Sequence, residues 1–134
     1  MLSERQLNKI ENIIWQELID KGVSCVILID DAGNIIASLD NGKSPIDVPS
    51  LACLTAGNYG VVHAMADILG EEDFSLLFHK GDSMSLHFKS IAPTYILISV
   101  FDRELSLGFL RLKVTDAVEK IREILGIFNE VQYS

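Results

Sequence analysis

The sequence predicts an α+β fold: a five-stranded antiparallel sheet covered by three helices, in the order helix, strand, strand, helix, three strands, helix. Three observations lead there. Apolar residues recur at spacings of three and four in three segments, short β-branched runs bounded by turn residues fill the rest, and meandering strands between separate helices make an α+β sandwich. With 134 residues, 49% of them hydrophobic, the chain is expected to form one domain, residues 1–134, around a core of its own.

Leu7, Ile10, Ile14 and Leu18 mark an amphipathic first helix over about residues 3–21, bordered by Trp15 and closed by Gly22. "VSCVILID", the turn "DDAGN" and "IIASLD" form a β-hairpin over residues 23–40, and "NGKSPIDVP" reads as a loop. "LACLTAGNYGVVHAMADILG" is the second helix, residues 51–70. A second hairpin follows, "DFSLLFHK" and "MSLHFKS" around "KGDS", and then a third apolar strand, "TYILISVF", after Pro93. The segment "LSLGFLRLKV" alternates like a strand. Leu107, Leu110, Val114, Ala117, Ile121, Ile124 and Phe128 nevertheless hold a helical spacing, so the last element is a helix.

The net charge of −8 argues against binding to nucleic acid or an anionic membrane, since both need clustered Lys and Arg. The start "MLSERQLNKIEN" lacks a signal-peptide core, and no apolar run is long enough to span a bilayer, which points to the cytoplasm. Cys25 and Cys53, without a CxxC or Cys/His cluster, read as reduced core residues. "NGKSP" ends like a phosphate loop, but Ala37 stands where the loop needs its first glycine and Pro45 where its helix should begin. Gly57 and Gly60 lack the leading glycine of a dinucleotide fingerprint. His63, His79 and His87 do not share a metal-ligand spacing, no GxSxG elbow is present, and Arg103, in a strand-to-helix connection, reads as a surface residue and not a catalytic arginine. No catalytic site, cofactor or metal is signalled, and the chain reads as a binder without chemistry of its own.

The second helix raises the functional question, because a glycine inside a helix costs roughly 1 kcal/mol relative to alanine and this one carries two, Gly57 and Gly60. On a helical wheel Leu51, Leu54, Val61, Val62, Met65, Ile68 and Leu69 form one arc, expected to cover the sheet. Ala52, Cys53, Ala56, Gly57, Gly60 and Ala64 form the neighbouring arc, where another backbone can come close. Either a helix of the same chain or a second chain lies there, and a wide small arc beside a separate large one favours a second chain. "DFSLLFH", with Phe74, Leu76 and Phe78 on one face and no internal Pro or Lys, would also invite pairing at a sheet edge. A homodimer answers both observations.

"LIDDAGNIIA", "LACLTAGNYGVVHAMADILGE", "FSLLFHKGD" and "SLGFLRLKV", in this order of elements, resemble the Roadblock dynein light-chain family and, within it, bacterial gliding regulators of the MglB type. The resemblance implies a homodimer with a sheet continuous across the subunits and paired middle helices as a platform for a small Ras-like GTPase of the MglA type. It also implies GTPase-activating function achieved by placing the partner's own residues, with the platform role on Ala52, Ala56, Gly57, Gly60 and Ala64. Other Roadblock proteins are scaffolds, so a dimerising adaptor is the alternative implied function. A small-molecule sensor is disfavoured by the large apolar residues that would fill its cavity.

Overall fold

The computed structural model describes residues 2–43, 45–70, 75–80, 83–91 and 94–126, with the backbone alone for residues 62, 63, 66 and 75–80. Helix α1, Glu4–Glu17, opens on a capping box: Ser3 Oγ accepts from the Gln6 N–H at 3.1 Å and Gln6 Oε1 accepts from the Ser3 N–H at 2.9 Å. The first helix does not stay α-helical to Gly22. After Glu17 it tightens into a 3₁₀ helix, Ile19–Lys21, and Gly22, at φ 110°, takes the left-handed turn that stops it.

Strands β1, Cys25–Asp30, and β2, Ile35–Asp40, form the first hairpin. Its turn is held by the Asp30 carboxylate, which accepts from the N–H of Ala32 and Asn34 and from Asn34 Nδ2 at 2.9–3.0 Å. The Asn34 side chain is the main reason that the carboxyl titrates below its usual range. After helix α2, Val48–Leu69, come β3, Ser75–Lys80, β4, Met84–Ile91, and β5, Tyr95–Asp102. All neighbours pair antiparallel in the order β2-β1-β5-β4-β3. Helix α3, Leu107–Leu125, is capped by Ser106 and stopped by Gly126 in the left-handed conformation. The position of Phe128 lies outside the described residues.

Three layers result. Ile10, Ile14 and Leu18 of α1 and Leu110, Val114 and Ile121 of α3 pack on Val26, Leu28, Leu97 and Phe101 on one face of the sheet. On the other, α2 lies over Cys25, Ile27, Ile29, Ile96 and Ile98. Strands β1 and β5 are thus buried on both faces, which is why they read as unbroken apolar runs instead of alternating. Lys120 and Glu17 tie α3 to α1 at 2.8 Å, and that bond lowers the Glu17 pKa.

A candidate docking face on the second helix

Helix α2 begins earlier than its apolar pattern suggests. Asp47 caps it, accepting from the Ser50 N–H at 3.2 Å and from Ser50 Oγ at 2.7 Å, and these bonds lower its pKa. Pro49 fits the first turn, where its missing N–H costs no helical bond. The stretch expected as loop is therefore a start signal.

The orientation of α2 overturns the expected one. Ala52 (0% exposed) and Thr55 are buried, and Ala56 and Tyr59 pack against the sheet cluster. Leu54, Val61, Met65, Ile68 and Leu69, expected on the sheet, are exposed, Ile68 at 84%; only Leu51 of that arc packs inward among the described side chains, those of Val62 being outside them. Relative to the expectation the helix is turned by roughly a third of a revolution. The reason is close approach: Gly33, at φ 88° in the β1–β2 turn, sits so near that an added Cβ would lie 3.5 Å from Ala56 Cβ and 3.6 Å from the Ala52 carbonyl oxygen. Small residues are needed on the inner side, and the large ones are left outside.

The five small residues named from the sequence thus divide. Ala52 is not part of any outer surface, and Ala56 is half-buried beneath the helix, so both set its height over the hairpin. Gly57, Gly60 and Ala64 are exposed. Among the described residues an added Cβ at Gly57 or Gly60 would meet nothing within 4 Å, so their packing does not call for a glycine there. Cys53, expected in the core, is exposed on this same side, whereas Cys25 is buried and desolvation pushes its thiol up to about 11.

The outer face of α2 therefore joins a large stripe, Leu54, Val61, Met65 and Ile68, to a small one, Cys53, Gly57, Gly60 and Ala64. Beyond the helix, Met84, Leu86 and Phe88 of β4 are only partly buried on the same side of the sheet, and β3 forms the edge. Leu76 and Phe78 belong to that edge strand; Phe74 lies outside the described residues. Exposed apolar side chains grouped in this way make the outer face of α2 a candidate contact surface. Sequence reasoning missed its large residues because no side of the helix is marked by charge: between Lys43 and Lys80 the chain has no Lys or Arg. Thr55 and Tyr59, at inward positions, were the available clue. Arg103 lies exposed in the β5–α3 turn, away from this face. Among the described residues no three of His, Cys, Asp and Glu come together as a metal site would need, and no helix is long and apolar enough to cross a membrane.

This arrangement has close structural counterparts. Myxococcus xanthus MglB is 31% identical, with a TM-score of 0.83 over 94% of each chain. The gliding protein MglB of Thermus thermophilus is 28% identical at the same TM-score, covering 92% of this chain and 93% of its own. An MglB in a tetrameric arrangement is 27% identical, again at 0.83, with coverage of 92% and 93%. No curated protein matches the sequence. The Roadblock/LC7 domain profile matches residues 15–101. With this match spanning helix α2 and most of the sheet, the chain belongs to the Roadblock/LC7 family and is MglB-like in fold.

Proposed function

We propose that the chain is a homodimeric regulator of a small Ras-like GTPase of the MglA type, acting as a GTPase activator without catalytic chemistry of its own. The observation that carries this reading is the outer face of α2, rich in exposed apolar side chains and with two glycines that the described packing does not require. Likeness to MglB over nearly the whole chain supports it. In the proposed dimer, the β3 edges, with Leu76 and Phe78, pair, Phe74 joins the interface, and the two α2 helices lie side by side. Gly57, Gly60 and Ala64 let backbones approach there, and Ala52 and Ala56 hold the helix at its height. Because α2 has no cation to insert, activation works by fixing the GTPase's own residues around its nucleotide. The negative net charge suits a cytoplasmic protein partner better than a phosphate surface.

The test is Ala64→Arg, scored by melting, light scattering and GTP hydrolysis by an MglA-type GTPase. Ala64 is exposed, so the arginine can extend into water and the fold should survive. In a close contact the added bulk and charge should lower binding at least a thousandfold, about 4 kcal/mol, and stimulation should vanish. A folded variant that stimulates like the parent overturns the platform. A parent chain that binds the GTPase without changing its hydrolysis makes the protein an adaptor.

A further inference from the structure

The sheet has a second edge, β2, which the proposed dimer leaves on the outer rim. The Asn41 N–H donates to the Ser24 carbonyl at 2.9 Å, and the pairs that follow are Val26 with Leu39 and Leu28 with Ala37. This phase turns the backbone groups of Leu39 and Ala37 toward β1 and those of Ser38 and Asp40 outward. Ser38 and Asp40 are exposed, and "IIASLD" contains neither Pro nor Lys to blunt the edge.

A groove opens at each end of this strand, and α1 walls both. The first, about 380 Å³, is lined by Leu2, Leu7 of α1, Ile35 of β2 and Tyr95 of β5, with Asp30 and Asp31 at its rim. The second, about 490 Å³, lies beside the half-exposed Trp15 and Leu105, past the end of β2 at Asn41. Asp20, Asp102 and Glu104 line it against Lys21 and Lys43. Six residues of β2 separate them, a length of roughly 20 Å, which one short extended segment spans.

We propose that the β2 edge docks an extended segment of a partner protein that carries alternating apolar and basic side chains, added to the sheet as an outer strand. Main-chain hydrogen bonds to Ser38 and Asp40 would hold it; since Ala37 and Leu39 pack toward α1 and Ser38 and Asp40 face the other side of the sheet, the segment's apolar side chains would lie toward the grooves and its cationic ones beside Asp40. Charge decides among possible occupants. Paired antiparallel, a second copy of β2 would bring the Asp40 end of one strand against the Asp30 and Asp31 end of the other, like charge on like. Residues 127–134, "IFNEVQYS", hold a glutamate and no Lys or Arg, so this segment lacks the complementary charge. A basic partner segment has it.

The experiment titrates the full-length protein with the peptide acetyl-LKVKVRL-amide and, as control, the same peptide with glutamate at each cationic position, followed by backbone amide NMR and hydrogen exchange. Expected are shifts at Ser38 and Asp40, slowed exchange of the Ser38 N–H, a change in Trp15 emission and binding at least tenfold weaker for the acidic peptide. Ser38→Pro removes an outward donor at a position where an edge strand tolerates proline, and should weaken binding at least tenfold. Asp31→Lys, at an exposed rim position, should do the same through charge and stands in should the proline variant not fold. No shift in β2 at millimolar peptide, or equal binding of both peptides, overturns the proposal. So does a Ser38 N–H already protected without peptide: protection that grows with protein concentration assigns the edge to a second copy, and constant protection assigns it to the chain itself.

Discussion

At the scale of single residues, His87 is the side chain whose state depends most on the fold. It stands on β4 opposite Ser99 of β5, 2% exposed, and both His87 Nδ1 and Ser99 Oγ are buried without a hydrogen-bond partner among the described residues. Burial first, then the nearby Arg111 and Lys89 cations, lower its pKa to about 4, so the ring is neutral at neutral pH. Because the folded value lies below the unfolded one of 6.5, the unfolded chain binds the extra proton between them. The stability due to the neutral ring is complete above pH 6.5 and is lost as pH falls from 6.5 to about 4, to a total of about 3 kcal/mol. Urea unfolding at pH 7.5, 6 and 4.5 should show this loss, and His87→Leu should remove it while leaving the further acid loss from Glu17, Asp30 and Asp47, whose pKa values are lowered. Parallel curves for parent and variant would show that the imidazole is not desolvated. The sequence could not indicate any of this, since burial of His87 depends on where α3 crosses β4.

At the scale of elements, α2 combines a conformational cost with an unfilled surface. Gly60→Ala should stabilise the unassociated chain by about 1 kcal/mol, because the helix gains propensity and the new methyl meets none of the described residues within 4 Å. The same methyl should weaken self-association at least tenfold by separating the helices. Denaturation in dilute protein and sedimentation across a concentration series measure the two effects, and tighter association of the variant would show that no backbone approaches Gly60. This helix also shows where sequence reading stopped. Helices α1 and α3 could be oriented because each has one apolar stripe opposed by charges, as Ile10 and Ile14 are by Glu4, Lys9 and Glu11. Strands β1 and β5 were evident from unbroken apolar runs between turns. Helix α2 was evident as a helix, but its only charged side chain from Val48 to Leu69 is Asp67, so periodicity could not say which apolar side met the sheet. That depended on Gly33, remote in sequence, which admits only small residues beneath it. The small residues named from the sequence are therefore split by the fold, with Gly57, Gly60 and Ala64 exposed and Ala52 and Ala56 turned toward the sheet.

At the scale of the whole molecule, the asymmetry between the two sheet faces governs behaviour in solution. One face is closed by α1 and α3; the other carries a single helix over β1 and β2, leaving the outer side of α2 and part of β4 uncovered. Taking one large apolar side chain fully out of water contributes about 1.5–3 kcal/mol, and α2 alone exposes Leu54, Val61, Met65, Ile68 and Leu69. If a second copy covers this face, folding and association are linked, and raising the protein concentration a hundredfold should stabilise the dimer by roughly 2.7 kcal/mol, about 1.4 kcal/mol per chain, and lift the melting midpoint by several degrees. Val61→Glu tests the link at the middle of the patch. In a single chain the carboxylate points into water and costs little, whereas in a helix pair it is buried in an apolar contact beside its symmetry equivalent. The variant should melt below the parent at high concentration, match it at high dilution and show a midpoint independent of concentration, with light scattering giving the mass of one chain. A parent midpoint that stays fixed across the same hundredfold range would mean that the apolar face of α2 is not covered by a second copy, and would leave it to the GTPase alone.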